Sequence, residues 1–171
     1  MVIAPELEIV KLHQLPEEDI EPLLEESHAQ GMAFVEWLVD EYISGKNRYD
    51  QPGEGLFASY SGSQMIAVGG LSRDPYLPDL HAGRVRRVYV RSSWRRKGIG
   101  KLLVQRIIDE ARLHYDLVTL RTYDARGDKF YRSLGFHADR EHYGATHFMA
   151  LTNQAHVSRA RSGDDFLPAF A

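Results

Sequence analysis

Residues 84–112, RVRRVYVRSSWRRKGIGKLLVQRIIDEAR, constrain the fold more than any other stretch. Arg84–Val90 alternates, with Val85 between arginines and Tyr89 between Val88 and Val90. That pattern predicts a strand with one polar face. From Ile99 onward, Leu102, Leu103, Ile107 and Ala111 recur at helical spacing and predict a long amphipathic helix. Between strand and helix the backbone must turn sharply, which Gly98 and Gly100 allow, and the same glycines let a ligand come close. The first amides of a helix lack internal acceptors, and its dipole favours negative charge there. Residues 84–101 add eight Lys/Arg and no Asp/Glu, whereas the rest of the chain holds 13 Lys/Arg against 24 Asp/Glu. A basic run can be a plain solvated face. Placed on a strand–glycine–helix turn, it predicts an anion site, with phosphate the natural guest.

Two familiar phosphate motifs fail on spacing. A Walker loop needs Gly-x4-Gly-Lys-Ser/Thr, but position 95 is Arg and Lys101 is followed by Leu102. A dinucleotide fingerprint needs a third glycine at position 103, which is Leu.

Around this turn the chain reads as mixed α and β. Leu7–Leu12 predicts a first strand, and Leu15 to about Ser27 a helix whose true start Pro16 and Pro22 push to Asp19 or later. A second helix after Gly31 presents Val35, Leu38, Val39 and Tyr42 on one face. LFASY and QMIAVGGLS predict two strands about a tight Ser61-Gly62-Ser63 turn. DLVTLRTY predicts another strand, and DARGDKFYRSL a short helix that Gly135 ends. FHAD and THFMAL predict final strands about a turn near Gly144, leaving 152–171 as a flexible tail. In that tail Phe166, Leu167 and Phe170 are the residues a homodimer contact would use.

At 171 residues the chain is expected to form one domain. It has no cysteine, which excludes disulfides, thiolate metal sites and a cysteine nucleophile. No stretch approaches a membrane helix, and no basic-then-apolar leader opens the chain, so a cytoplasmic location is expected. A formal net charge of −3 argues against a nucleic-acid coat. His137, His142 and His147 recur every five residues, which is not zinc-site spacing, so no metal is expected.

About thirty residues after the glycine turn stands FYRSLGF, Phe130–Phe136. RRVYVRSSWRRKGIGKLLVQRIIDEAR followed by LRTYDARGDKFYRSLGF resembles the core of the GCN5-related N-acetyltransferase superfamily. The first stretch is similar to its pyrophosphate motif Arg/Gln-x-x-Gly-x-Gly/Ala, the second to its Tyr-x-x-Leu-Gly-Phe segment. The resemblance is firm over Arg84–Phe136, and before that it rests on element order. It implies a single α/β (α+β) domain over 1–151, with a mixed, twisted sheet of about seven strands and about four helices. The fourth and fifth strands would splay apart and take acetyl-CoA into the split.

By match of motif, Val88, Tyr89 and Val90 would face the pantetheine arm through their backbone. The amides of Arg95, Arg96, Lys97, Gly98, Ile99, Gly100 and Lys101 would hold the pyrophosphate. Arg95, Arg96 and Lys101 would be free to add charge, and Ile99 would point into the core. Tyr131 corresponds to the family tyrosine beside the thioester sulfur, where it would protonate the departing thiolate. It would turn away from Phe130 on helical spacing. Its plain alternative is a core aromatic.

Two positions depart from the family. Asp124 stands where many members place an Asn that contacts CoA. The family's strand glutamates are missing: the fourth strand offers Arg84, Arg86 and Arg87, and the fifth offers Thr119. The general base therefore stays open among Glu36, Asp40, Asp124, His137 and His147. Residues 1–54 hold 13 Asp/Glu and three Lys/Arg. The resemblance places the first two helices, with Glu36 and Asp40, along the acceptor site, so a cationic primary amine, small or peptidic, is the expected acceptor. The competing reading is a CoA-binding sensor of the same fold without turnover.

Overall fold

The computed structural model describes residues 5–151. The expected tail, with Phe166, Leu167 and Phe170, lies outside the described residues. Seven strands and four helices follow in the order β1 Leu7–Leu12, α1 Glu17–Ala29, α2 Phe34–Ser44, β2 Gly55–Ser61, β3 Gln64–Arg73, β4 Ala82–Val90, α3 Ile99–Arg112, β5 Leu117–Leu120, α4 Ala125–Ser133, β6 His137–Ala138 and β7 His147–Ala150. One sheet joins the strands in the order β1-β2-β3-β4-β5-β7-β6. Only β4 and β5 run parallel, because α3 carries the chain across between them.

The period of two along the strands divides the apolar residues between two cores. Leu56, Ala58, Met65, Val68 and Tyr89 meet Ile20 and Leu23 of α1 and Val35 and Leu38 of α2. On the opposite face Phe57, Ile66, Leu71, Val85 and Val118 meet Ile99, Leu103, Ile107, Ile108 and Ala111 of α3. Both faces of the sheet are thus covered.

That two-sided cover corrects the expected polar face of β4. Arg84 is buried, and Tyr89 is buried among the α1–α2 core. The alternation is also broken. Arg87 sits at φ +54, and the β3–β4 register shifts between Val68 and Gly70. This bulge puts Val85 and Val88, three apart, on the same α3 face.

Three smaller expectations are also corrected. Helix α1 starts at Glu17 and carries Pro22 inside it. Pro22 forgoes one backbone bond early in the helix, a loss set against the burial of Ile20 and Leu23. Leu102, expected in the core stripe, is an exposed side chain. Strand β5 stops at Leu120, short of the expected Tyr123.

The parallel ladder consists only of Ala82↔Leu117, Gly83↔Val118 and Arg84↔Thr119. Beyond Arg84, β4 runs on to Val90 with its β5-side edge unpaired. The bulge at Arg87 lies in this part and bends β4 away. This is the expected splay.

Candidate active site

The unpaired edge of β4 fixes which backbone groups face the gap. Arg91 donates its N–H to Ile66 O on β3. Antiparallel strands alternate their bonding direction, so Tyr89 also bonds toward β3, while Val88 and Val90 point into the gap. Of these three residues, Tyr89 is therefore held by the sheet. Its side chain is buried, and its hydroxyl donates to Glu26 over 2.7 Å. The carbonyl of Val90 is also engaged, since it accepts from Arg95 Nε at 2.8 Å.

At the end of β4 the chain passes through a short 3-10 turn, Ser92–Trp94, and enters α3. Arg96 at φ +60 and Gly98 at φ +81 make the bend. The first helical bond runs from Leu102 N–H to Gly98 O, which leaves the amides of Ile99, Gly100 and Lys101 without a helical acceptor. The two glycines serve different ends. A side chain at Gly98 would meet nothing within 4 Å, so the backbone there is open to approach. A Cβ at Gly100 would meet Phe130 and Val90 at an ordinary contact distance of 3.4 Å, so α4 and β4 lie against the start of α3 at this glycine.

Among the basic side chains, Arg96 and Lys101 are exposed and have no ion-pair partner among the described residues. Lys97 lies over the Trp94 ring at 5.1 Å. Arg95 is not free, contrary to expectation. It binds Val90 O and Gln30 Oε1 and lies over the Tyr89 ring. Ile99 points into the core.

Glu26 of α1 ties this turn to the helical layer. Its carboxylate accepts from the Tyr89 hydroxyl, the Ser92 N–H and the Ser92 hydroxyl. Burial by itself would raise its pKa, but these hydrogen bonds and the nearby Arg91 outweigh burial and hold it below the ordinary 4.5. A depressed carboxylate stabilises the fold above its unfolded pKa and ceases to do so as pH falls through the folded one. Stability should therefore decline as pH drops below about 4.5. Denaturant titrations should show a shallower decline in Glu26→Gln, and an identical slope would show that Glu26 does not contribute.

On the other side of the gap, α4 is capped by Asp124, whose Oδ1 accepts from Gly127 N–H at 2.6 Å. A side-chain acceptor is what a helix N-terminus needs, and Asp and Asn both supply it. Tyr131 packs edge-on to Phe130, with centroids 4.9 Å apart, and to Phe136 at 5.7 Å. It is not turned away from Phe130, as expected from helical spacing. Its hydroxyl has no partner among the described residues, and burial alone pushes its pKa up.

The histidines do not form a pair. The register sets His137 opposite Phe148 and His147 opposite Ala138. His147 Nε2 lies 2.7 Å from Asp128, and its Nδ1 2.9 Å from Thr146 Oγ1, so both ring nitrogens are engaged. No group of three metal-ligating side chains occurs among the described residues.

On the α1–α2 face, Glu36 pairs with His28 at 3.2 Å, and Asp40 is exposed. The carboxylate of α2 that does reach β4 is Glu41, which the sequence reading missed. It accepts from Arg87 through both oxygens and from Arg86 at 3.5 Å. Glu41 follows Leu38 by three residues, so it falls on the buried stripe of α2, and that was the available signal. Asp74 was also missed. Buried just after β3, it accepts from the Thr119 hydroxyl and the Tyr76 N–H and lies 3.5 Å from Arg84 Nη1. Thr119, the β5 residue at the missing base position, is thus bonded to a carboxylate from another strand's end.

The family pattern described as Acetyltransferase (GNAT) family matches residues 14–136, from before α1 to the end of the Tyr-x-x-Leu-Gly-Phe segment. The chain belongs to the GNAT acetyltransferase family. Among solved structures, an acetyltransferase-type protein from Exiguobacterium sp. 255-15 is 28% identical over 92% of this chain and 99% of its own, with a TM-score of 0.75. An acetyltransferase from Streptococcus agalactiae shares the fold at 14% identity, TM-score 0.68, over 85% of this chain and 98% of its own. So does the glucosamine-6-phosphate N-acetyltransferase of Arabidopsis thaliana, at 18% identity, TM-score 0.57, over 80% and 95%. Comparison with curated proteins gives no match. GNAT acetyltransferases use acetyl-CoA as cosubstrate, and the open Gly98 turn with its unbonded amides suits a pyrophosphate. No helix among the described residues is long and apolar enough to cross a membrane.

Proposed function

We propose that the chain moves the acetyl group of acetyl-CoA onto a primary amine, by direct attack within a complex of both substrates. The observation that carries this reading is the β4–α3 junction. There an unpaired strand edge at Val88–Val90 leads to a bend open at Gly98, where the amides of Ile99, Gly100 and Lys101 lack acceptors among the described residues. Acetyl-CoA supplies an activated acyl group. The amides and the charges of Arg96 and Lys101 hold its pyrophosphate, and the Val88 and Val90 backbone orients its arm.

The incoming amine must be neutral to attack. At neutral pH an alkylamine of pKa about 10.4 loses its proton at a cost of about 4.6 kcal/mol. Both oxygens of Glu41 are already engaged by Arg86 and Arg87. Water relayed to a carboxylate, histidine or carbonyl is sufficient. The missing strand glutamate is what favours the second reading, a CoA-binding sensor.

Two measurements test the proposal. Calorimetry should find that acetyl-CoA binds and that a dephosphorylated pantetheine analogue binds far more weakly. Gly98→Val should weaken acetyl-CoA at least about tenfold, because φ +81 strains a β-branched residue and its side chain blocks the approach. Equal affinities in either comparison would remove the pyrophosphate assignment. Release of CoA thiol with a panel of amines then separates the enzyme from the sensor.

The cationic acceptor expected from residues 1–54 finds limited support in the arrangement of charges. Glu36 is occupied by His28 and Glu41 by Arg86 and Arg87, which leaves Asp40 as the exposed carboxylate of α2.

A further inference from the structure

On the α2 face of the sheet, a cavity of about 790 Å³ opens between α2, the following loop and the ends of β3 and β4. Arg86 and Ser72 line it. Arg86 and Arg87 are adjacent cations that share one carboxylate. Arg87 takes both oxygens of Glu41 and stacks on Trp37 at 4.9 Å. Arg86 keeps one long contact of 3.5 Å to the same carboxylate, and its Nε and Nη1 have no partner among the described residues. Both two-donor edges of a guanidinium include Nη2, and its contact to Glu41 is long enough for an anion with two oxygens to take its place, beside Nε or Nη1.

A second feature points the same way. Ser72 is 3% exposed, and its hydroxyl has no hydrogen-bond partner among the described residues. A buried hydroxyl left unbonded is costly, and such groups are normally satisfied. Close by, Tyr49 is held at φ +55 with its ring over Gly70, the β3 residue opposite Arg86. Its buried hydroxyl likewise has no partner among the described residues. Burial, the largest influence on Tyr49, pushes its pKa up, so it stays a donor at neutral pH. The sheet floor beside the splay is therefore rich in donors that lack acceptors.

We infer that the acceptor amine also bears an anionic group, a carboxylate or a phosphate, and that Arg86 binds it at the floor of this cavity with the Ser72 hydroxyl. The inference rests on the acetyltransferase reading above and deepens it. The amine end is a cation in solution, so the acceptor is a zwitterion, held by its anionic end while the amine points toward the gap between β4 and β5.

The test uses acceptor pairs that differ only in the anion: an α-amino acid against its amide, and an amino-sugar phosphate against its unphosphorylated parent. Thiol release is followed for the wild type, Arg86→Gln and Arg86→Lys. Inorganic phosphate is titrated calorimetrically into each protein after saturation with CoA, which fills the turn at Gly98. One anionic member should exceed its neutral partner at least about tenfold in kcat/KM, the effect of one charge-assisted hydrogen bond. The pair that responds distinguishes carboxylate from phosphate. Arg86→Gln should remove the preference through KM, and Arg86→Lys, which keeps the charge but not the fork, should retain part of it. Phosphate should bind the CoA-loaded wild type and bind Arg86→Gln about tenfold more weakly. Equal kcat/KM within both pairs, or a preference that survives Arg86→Gln, overturns the inference. Phosphate binding that depends on Arg86 without turnover of any amine would keep the anion site and overturn the acetyltransferase reading. Neither turnover nor such binding would remove both.

Discussion

Tyr131→Phe is expected to lower kcat about a hundredfold while leaving acetyl-CoA affinity unchanged, the low end of the usual range for a general acid. The rings of Phe130 and Phe136 pack on the aromatic ring and not on the hydroxyl, so the variant keeps both contacts. What it loses is one O–H group with no partner among the described residues. Burial keeps that hydroxyl protonated through the neutral range, which is the state a proton donor needs. The α4 helix that carries it lies against the glycine turn at the start of α3, because Phe130 approaches Gly100. The effect stays at the low end because a thiol of pKa about 8.5 leaves as its anion without much help. Rapid-mixing or steady-state kinetics with a saturating acceptor measures kcat, and calorimetry measures binding. A kcat equal to wild type would make Tyr131 a packing residue and leave thiolate departure to water.

Asp74→Ala should cost about 3–5 kcal/mol of stability, the usual penalty for removing one partner of a buried ion pair. For a chain of this length that corresponds to a fall in Tm of roughly 10 °C. Asp74 is 1% exposed and Arg84 7%. Burial, the largest influence on Arg84, presses its guanidinium toward deprotonation, and the charge of Asp74 opposes that. Among the described residues, the cation without Asp74 keeps only its bond to Gly144 O and its place over the Tyr76 ring. The Tyr76 N–H loses its acceptor as well, and the Thr119 hydroxyl keeps only a long contact of 3.5 Å to Gly83 O. Asp74→Asn keeps an acceptor for both and should cost less. A loss under about 1 kcal/mol on chemical denaturation would mean that water reaches Arg84 in the folded state. Gly144 and Tyr143 both touch the Arg84–Tyr76 pair, so the same change should loosen the β6–β7 connection against the β3–β4 loop.

What the sequence displayed most clearly was local. The helix at Ile99 and its glycine bend depend on spacing and on backbone freedom, and both are written in consecutive residues. The limits of β1 and the break at Gly31 follow for the same reason. Tertiary contacts were harder to see. The alternation of β4 suggested a wet face, because nothing in Arg84–Val90 reveals that α2 lies over it or that Arg87 bulges. Arg95 read as a free phosphate ligand, since its true partners, Val90 O and Gln30, require the folded turn. Of the acidic residues on α2, Glu36 and Asp40 drew attention by charge, yet Glu41 meets β4 because it falls on the apolar stripe. Asp74 sits in a loop that composition alone marks only as a turn, and its meeting with Thr119 crosses 45 residues of chain.

The sheet is in effect two antiparallel blocks, β1–β4 and β5-β7-β6, stitched by three residue pairs. A seam this short contributes few interstrand bonds, so the blocks are free to differ in local stability. A molecule lodged across the seam beyond Arg84 would act as an extra strand, adding cohesion between the blocks in proportion to its own binding energy. A cosubstrate bound there would be a structural member of the sheet for as long as it stayed. Its departure would return the molecule to its most weakly joined form at the moment when product must escape.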